Sequence, residues 1–277
     1  MLAERQSRIE QTPNVLIVDG VWVEIQYTSG AVKVDRSGHQ RQVRQAQDRV
    51  ILAVMAVWPD GTHEMLHYEI AQQEDTTAWQ SLFEHLMARG LDPETVQVVV
   101  SDGTKGLLAA MAKTLPQTQQ QRCMTHKVRG MAPYLKYRHL PTTDEQGQPL
   151  ERQTAKQQRK SDLFKEADEI YDAPTYEAAQ QRQQAFINQW QDLEPDAIHA
   201  FEWGLERTFT FYQLDDTWHR FVRTTNPLER FFREFRAKAD EVGAFPNEQS
   251  CLALFFLVRQ LEHAKHDRPS VANKSGH

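Results

Sequence analysis

The stretch Val15-Leu16-Ile17-Val18-Asp19-Gly20-Val21-Trp22-Val23-Glu24-Ile25 decides the fold, because it is an apolar, β-branched run interrupted by one early acid. Its composition and the turn residues around it predict a strand over residues 14–27. A carboxylate buried without a partner is costly, so Asp19 predicts a metal ion or a charged group that faces this strand. A β-bulge at Asp19-Gly20 is the structural alternative.

The segments that follow predict a regular order of strands and helices. Residues 28–48 are polar and predict a loop or a ragged hairpin. Further strands are predicted over 50–58, 63–70, 95–101 and 119–124, and helices over 76–89, 106–115 and 126–135. Three antiparallel strands followed by α/β units predict an α/β fold with a mixed sheet covered by helices. This is the element order of ribonuclease-H-like nucleotidyl-transfer folds.

The sheet pattern stops near residue 138. Residues 141–160 are rich in Gln, Thr, Lys and Arg and predict an exposed loop, whereas apolar spacing over 161–207 predicts helices. Two last helices are predicted over 226–241 and 248–263. The predicted division is a first part of the core over 1–138, an all-helical or mostly helical insertion over 139–224, C-terminal helices that complete the core over 225–266, and a disordered tail over 267–277.

Composition and charge limit the class of protein. The 277 residues are 40% hydrophobic, no apolar run approaches the roughly 18 residues of a membrane span, and the polar N-terminus lacks a secretory signal.

The net charge of −6 argues against nucleic acid as a partner. However, residues 220–238 contain six bases against two acids, and such local clusters set the field that a phosphate backbone meets. A solvated basic face is the alternative.

A second acid, Asp102, ends the strand predicted over 95–101, where α/β sheets commonly carry chemistry. In a ribonuclease-H-like sheet the first and fourth strands are neighbours, so Asp19 and Asp102 would face each other. Two carboxylates that close repel unless a divalent cation binds between them. Mg²⁺ suits oxygen ligands, and a pair of ions suits an in-line displacement at phosphorus. A plain turn at Asp102-Gly103 is the alternative.

A third acid, Glu229, has a competing structural role. Asn226 fits an N-cap, Pro227 fits the first helical position, and Glu229 has the spacing of a capping box. The two roles conflict, because a side chain folded back onto its own cap cannot reach a metal ion.

Five short segments occur in an order that is typical of one family. They are Val18-Asp19-Gly20, Val100-Ser101-Asp102-Gly103 with Lys105-Gly106-Leu107, Gln121-Arg122-Cys123-Met124-Thr125-His126, Thr224-Thr225-Asn226-Pro227-Leu228-Glu229-Arg230, and Val242-Gly243-Ala244-Phe245-Pro246-Asn247. Together they resemble the catalytic domain of Mutator-type bacterial insertion-sequence transposases, over roughly residues 14–262. The ordered set is specific, whereas each segment alone is not.

The resemblance implies an Asp-Asp-Glu active site in which Asp19, Asp102 and Glu229 hold two Mg²⁺ ions, with Mn²⁺ as a substitute. It implies DNA as the partner: the enzyme cleaves the ends of a mobile element, and the freed 3′-OH attacks target DNA. A homodimer or higher oligomer is expected when two ends are paired. Because 18 residues precede Asp19, a separate DNA-binding region or protein is expected to recognise the ends. The expected location is the cytoplasm of a bacterium, at the nucleoid.

The resemblance also implies supporting roles for Cys123, His126 and Asn226. Cys123 and His126 form a C-x-x-H pair that lacks the two further ligands of a structural zinc site. A packed cysteine and a helix-capping histidine are the alternative.

Two sets of residues are predicted to contact DNA. Arg230, Arg233 and Arg236 recur every three residues and predict a basic stripe for phosphate oxygens, opposite three phenylalanines of the same helix. An ordinary amphipathic helix is the alternative. In related transposases an aromatic residue of the insertion stacks on a flipped base, so one of three tryptophans is a candidate and the other two are expected to pack in the core. They are Trp190, Trp203 and Trp218.

Two other functions stay open. A catalytically inactive, transposase-derived protein that binds DNA or a partner would keep the fold and lose metal-dependent nicking. An unrelated Mg²⁺ phosphohydrolase of the haloacid-dehalogenase type would need a second Asp two residues after Asp19, where the sequence has Val21.

Overall fold

The central strand, β1 (Val15–Val34), has 20 residues and pairs with a neighbour on each side. The structure is a computed structural model that describes residues 7–266. The other strands of its sheet are β2 (Gln40–Val57), β3 (His63–Ala71), β4 (Val98–Ser101) and β5 (Gln119–Arg122). Their order is β3-β2-β1-β4-β5, antiparallel from β3 to β1 and parallel from β1 to β5. The predicted mixed sheet is therefore confirmed.

Helices cover both faces of this sheet. They are α1 (Thr76–Ala88), α2 (Lys105–Thr114), α3 (Met124–Arg129), α4 (Arg152–Glu169), α5 (Tyr176–Trp190), α6 (Pro195–Glu202), α7 (Asp216–Val222), α8 (Asn226–Val242) and α9 (Glu248–His266). Short 3-10 segments lie at Ala132–Tyr134, Ile170–Asp172 and Leu205–Gln213. No helix in residues 7–266 is both long enough and apolar enough to cross a membrane.

The pleat of β1 sends successive side chains to opposite faces of the sheet. Leu16 and Val18 pack with α1 and α2 in one buried cluster that includes Trp79. Ile17 points to the other face, where α8, α9 and the helices over 152–222 form a second buried cluster. Residues of the predicted insertion therefore share a hydrophobic core with the sheet. The predicted domain boundaries at 138 and 224 stay a prediction, and the predicted tail over 267–277 lies outside the described residues.

Two polar segments differ from the sequence interpretation. For residues 28–48 the sequence left a loop or a hairpin open, and the structure shows the hairpin. Here β1 and β2 continue as a two-stranded ribbon. Both faces of the ribbon are exposed, so its sequence lacks the alternation of apolar and polar residues that marks a half-buried strand. The loop predicted over 141–160 is wrong in its last part, because α4 begins at Arg152. Its Gln, Lys and Arg residues are good helix formers, and Ala155 is buried in its first turn.

Gly106 allows the start of α2 to pack closely against the start of α1. A Cβ at this position would lie 3.0 Å from the carbonyl carbon of Asp75 and 3.1 Å from its Cα. Backbone atoms cannot turn aside as a flexible side chain can, so overpacking is expected.

We expect Gly106→Ala to lower the free energy of unfolding, although alanine is favoured over glycine inside a helix by about 1 kcal/mol. Urea denaturation measures this change. Ala112→Gly, on the exposed side of the same helix, is the control for helix propensity alone and should cost about 1 kcal/mol. A Gly106→Ala protein that is more stable than the wild type would contradict the close approach of the two helices.

Candidate active site

Asp19 and Asp102 occupy matching positions on two parallel strands. Ile17 of β1 pairs with Val100 of β4, and each acid lies two residues further along. Alternation places both acids on the face covered by α8, because Ile17 and Val100 pack in the cluster on that side. Asp19 keeps the regular ladder opposite Ala53, so the bulge alternative is wrong.

Asp102 is the first residue after β4, where it starts a turn at this edge of the sheet. Its Oδ1 accepts a hydrogen bond from the Thr104 N–H at 3.1 Å, and Gly103 has a φ of +81°, which favours glycine. The turn that was the alternative to a catalytic role is therefore present. A turn at the end of β4 does not exclude a role for the Asp102 carboxylate, because only one of its oxygens is used by the turn.

Burial raises the pKa of the Asp19 carboxyl to about 7. The Gly20 N–H, which donates to Oδ1 of Asp19 at 2.8 Å, and the charge of His126 lower this pKa, whereas the charges of Asp102 and Glu229 raise it. Asp19 is thus close enough to Asp102 and to Glu229 for the charge of each to raise its pKa. A bound cation would relieve both the repulsion and the desolvation of the charged form.

Glu229 reaches the site from the first turn of α8. The N-cap of α8 is Thr225 and not Asn226 as predicted, and the Thr225 side chain makes no hydrogen bond to the helix backbone. Its hydroxyl donates instead to Oε1 of Glu229 at 2.8 Å, while Arg129 lies 3.5 Å from Oε2. The capping-box alternative is wrong, since the carboxylate faces a hydroxyl and a guanidinium rather than the N–H of its own cap.

Thr225 also joins Glu229 to the C-x-x-H pair. The buried Sγ of Cys123 accepts a hydrogen bond from the Thr225 N–H at 3.4 Å and lies 3.4 Å from the Thr225 hydroxyl oxygen. Nδ1 of His126 lies 3.4 Å from the Thr225 hydroxyl and 3.8 Å from Oε1 of Glu229. A hydrogen bond with Cys123, together with the charges of Cys123, Glu229 and Asp19, raises the pKa of His126 to about 9 against the effect of burial. His126 therefore faces the acids as a cation.

Glu74 is a fourth carboxylate that lies near Asp102, on the face of the sheet opposite Asp19, and the sequence interpretation gave it no role. One of its oxygens lies 3.3 Å from Nε1 of Trp79 and 3.5 Å from the hydroxyl of Thr104. Its other oxygen is 3.2 Å from the place where a Cβ on Gly20 would be. Burial and the charge of Asp102 raise the pKa of Glu74. No motif surrounds Glu74, so only its position after β3 could have suggested it.

A groove of about 760 Å³ contains Asp19, His126 and Glu229 and continues along α8. Asn226 and the three arginines that were predicted to bind DNA also line it: Arg230, Arg233 and Arg236. These arginines are exposed, whereas the phenylalanines at 231, 232 and 235 are buried, so the two sides of the helix are separated as the sequence predicts.

The three tryptophans differ in exposure. Trp190 is buried and Trp218 is half-buried, whereas 59% of Trp203 is exposed. The Trp203 carbonyl accepts hydrogen bonds from Lys127 at 2.6 Å and from Arg122 at 3.1 Å, which fixes the backbone after α6. Trp203 and His126 both line a second cavity of about 510 Å³. His126 thus lines both cavities.

Residues 31–268 match the family model described as Transposase, Mutator family. The chain belongs to this family. The match confirms the family resemblance and covers four of the five ordered segments, since Val18-Asp19-Gly20 lies before residue 31, and it removes the alternative of an unrelated phosphohydrolase.

Curated relatives agree with this assignment. The transposase for insertion sequence element ISRM5 of Rhizobium meliloti is 31% identical over 225 residues, which cover 81% of this chain and 50% of that protein. The transposase for insertion sequence element IS905 of Lactococcus lactis is 29% identical over 197 residues, covering 71% of this chain and 44% of that protein. The Mutator-family chain thus spans about half the length of the curated relatives it matches.

Among solved structures, the Drosophila P element transposase strand transfer complex aligns with 96% of this chain and 81% of that chain. The sequence identity is 10% and the TM-score is 0.43. A similarity at this level carries no weight for the fold or for the function of the Mutator-family chain.

Because the pKa of Asp19 is raised, the free energy of unfolding of the metal-free protein should fall as the pH rises. The folded-state pKa of about 7 lies above the ordinary value of 3.8, so ionisation destabilises the metal-free protein as pH rises through this interval. We expect Asp19→Asn to raise the melting temperature in EDTA at pH 8, by about 3 °C or more, and to have little effect near pH 4. Asp162→Asn, an exposed acid on α4, is the control and should change neither value. Equal melting of the wild type and Asp19→Asn at pH 8 would contradict the raised pKa.

Proposed function

We propose that this chain is the catalytic part of a DNA transposase, which cleaves element ends and joins the freed 3′-OH to target DNA in a metal-dependent reaction. The observation that carries the proposal is that Asp19 is half-buried in β1 and that the charges of both Asp102 and Glu229 raise its pKa. Membership of the Mutator family and relatives named as insertion-sequence transposases support it.

The proposed architecture is ribonuclease-H-like, with residues 139–224 as an insertion domain. The parallel pairing of β1 with β4 supports it, because this pairing is what allows Asp19 and Asp102 to be neighbours. The helices between β5 and α8 then account for the long separation in sequence between Asp102 and Glu229.

The donor set fits a hard divalent cation such as Mg²⁺ or Mn²⁺. Asp19, Asp102 and Glu229 offer carboxylate oxygens, and Glu74 adds a fourth carboxylate close to Asp102. When bound, two such ions would stabilise negative charge on the attacking and leaving oxygens at phosphorus. Cys123, His126 and Glu229 also offer ligand atoms within 4.8 Å of one another. However, the Cys123 sulfur already accepts a hydrogen bond from the Thr225 N–H, which favours a supporting role.

The remaining residues of the groove would bind and orient DNA. Arg230, Arg233 and Arg236 follow one another along α8 from the acids outward, so they are placed to contact successive phosphates. His126 and Thr225 would hold the Glu229 carboxylate in place while the metal ions are bound. Asn226 lines the same groove and offers an amide to the DNA or to the acids.

Trp203 is the tryptophan that we propose to stack on a base of the distorted DNA end. Its exposure, its anchored backbone and its cavity next to His126 support this choice over Trp190 and Trp218. Arg122 lies 5.4 Å from the centre of the Trp203 ring and donates to the Asp102 carbonyl, so ring and acid are linked through one side chain.

The competing function is a catalytically inactive protein that uses the same groove to bind DNA or a partner. It differs from the proposal in one measurable property, metal-dependent strand transfer. The assay should supply element ends together with the DNA-binding region or protein that recognises them, since the chain spans about half the length of its relatives. Pairing of two ends by a homodimer is expected in the active assembly.

We expect Asp19→Asn and Asp102→Asn each to reduce strand transfer in Mg²⁺ or Mn²⁺ by at least about a hundredfold, because several kcal/mol of charge stabilisation is lost. Glu229→Gln should lose activity to a similar extent and keep the stability of α8, since its amide oxygen can still accept from Thr225. Gel assays of joined products measure the first effect and thermal melting the second.

Asp162→Asn is again the matched control and should keep full activity. Strand transfer by Asp19→Asn or Asp102→Asn at the wild-type rate would refute the site. A wild-type protein that binds element ends but neither nicks nor joins them in either metal would favour the inactive alternative.

We expect Trp203→Ala to reduce strand transfer by roughly 5- to 150-fold, because base stacking on an aromatic ring contributes about 1–3 kcal/mol. Trp203→Phe should restore much of the activity, since a ring is retained. Melting temperatures should stay near that of the wild type, because the side chain is mostly exposed. Undiminished activity of Trp203→Ala would remove this residue from the DNA interface.

A further inference from the structure

The distal parts of β1 and β2, Thr28–Gln47, form a projecting arm that we call the basic ribbon. Its strands pair with each other, with Thr28 opposite Arg44 and Val34 opposite Gln40, while β3 and β4 end before this region. None of its residues is buried. From Thr28 to the turn it extends about 20 Å at 3.3 Å per residue. An isolated two-stranded ribbon is marginally stable in water, so this arm needs support.

Support comes from the segment between α8 and α9. The backbones of Glu24 and Gln26 exchange hydrogen bonds with Phe245, both at 2.8 Å. The Tyr27 hydroxyl donates to Glu248 at 2.6 Å, and Arg44 donates to the Pro246 carbonyl. The base of the ribbon is therefore fixed to the end of α8, and the rest projects from it.

The charge of the basic ribbon is opposite to that of the whole chain. Its four bases are Lys33, Arg36, Arg41 and Arg44, and its one acid is Asp35, which gives +3 against −6 for the chain. Four glutamines and several hydroxyl groups add further hydrogen-bond donors. This is the composition of a surface that binds a polyanion.

The arrangement of these charges also indicates an external partner. Lys33 and Arg41 stand directly opposite each other in the ladder, and like charges in that position destabilise a sheet. Asp35 lies 3.2 Å from Arg41 and offsets part of this repulsion. A bound phosphate backbone would remove the rest.

The position of the ribbon connects it to the acids. The groove of Asp19 and Glu229 follows α8 as far as Arg236 and Asp240, and both residues also line a further cavity with Trp22 and Phe245. That cavity lies at the fixed base of the ribbon. Arg236 therefore lies between the acids and the base of the ribbon, in a cavity that Glu24, Asp48 and Asp240 also line.

We propose that the basic ribbon is a DNA-binding arm that contacts duplex DNA beyond the groove of the proposed active site. This inference rests on the proposed function. A two-stranded ribbon has the width of the major groove of B-DNA, and its cations would contact the phosphates on either side. A second copy of the chain is the competing occupant, but two ribbons that each carry +3 repel one another.

The test uses the 277-residue chain and a fluorescent 30-base-pair duplex of random sequence, in EDTA so that no cleavage occurs. Fluorescence anisotropy between 50 and 200 mM salt gives the Kd and its salt dependence. The ribbon variant combines Lys33→Ala, Arg36→Ala and Arg41→Ala. We expect its Kd to rise about 10- to 100-fold at 100 mM salt and the slope of log Kd against log salt to fall by about 2 to 3.

A matched control removes the same number of charges from exposed positions outside the ribbon: Lys113→Ala, Lys160→Ala and Lys165→Ala. Its Kd and slope should stay near those of the wild type. Both variants should melt like the wild type, because all six side chains are exposed. If the ribbon variant binds as the wild type does, the arm is not a DNA contact, and the proposed function is untouched. If the wild type binds no duplex, the arm proposal fails, and the proposed function is decided separately by strand transfer in the presence of the DNA-binding region.

A second measurement separates DNA from a second copy as the occupant. Cys123 and Cys251 are buried, so a thiol-reactive dye on the Ser37→Cys variant reports from the tip of the ribbon. We expect its emission to change on addition of the duplex and to be independent of protein concentration without DNA. A change that depends on protein concentration alone would assign the ribbon to an interface between copies and overturn the proposal.

Discussion

The register of β1 is the constraint on which the rest of the structure depends, because one strand carries both the core and an acid. Side chains alternate between the faces of the sheet, so a shift by one residue would move Asp19 into the cluster of Trp79 and place Leu16 on the opposite side. The burial of the apolar residues therefore fixes the position of the carboxylate. Asp102 follows from the same constraint, since β4 pairs with β1 in parallel register.

Thr225 helps to hold Glu229, an acid that is distant in sequence from Asp19 and Asp102, at the same edge of the sheet. The helices between β5 and α8 pack in the cluster on the α8 face of the sheet, and the start of α8 must return to the strand end. The buried Thr225 lies within 2.8 to 3.4 Å of Cys123, His126 and Glu229, and it donates its hydroxyl to Glu229 and its N–H to Cys123. These contacts connect the end of β5 to the first turn of α8, so the Glu229 carboxylate is oriented by tertiary contacts rather than by capping.

Helix α8 then connects the acids with the periphery of the molecule. Its buried phenylalanines hold it against β1, and its exposed arginines line the groove. Its C-terminal end is followed by Phe245, which pairs with β1 where the ribbon leaves the sheet. The 17 residues of α8 give a linear surface about 25 Å long, at 1.5 Å per residue. A surface of this length matches a contact with a DNA groove rather than a site for a small ligand.

The sequence by itself determined the mixed sheet, most of its elements and the three acids at strand or helix positions, because apolar periodicity and turn residues are local signals. It also carried the ordered segments that identify the family. Only the tertiary structure decided that Thr225 rather than Asn226 caps α8, that Glu74 lies near Asp102, that Trp203 is the exposed one of the three candidate tryptophans, and that residues 28–47 form a ribbon. These outcomes depend on contacts between residues far apart in the chain or on exposure of both faces of a strand. Neither leaves a periodic pattern in the sequence.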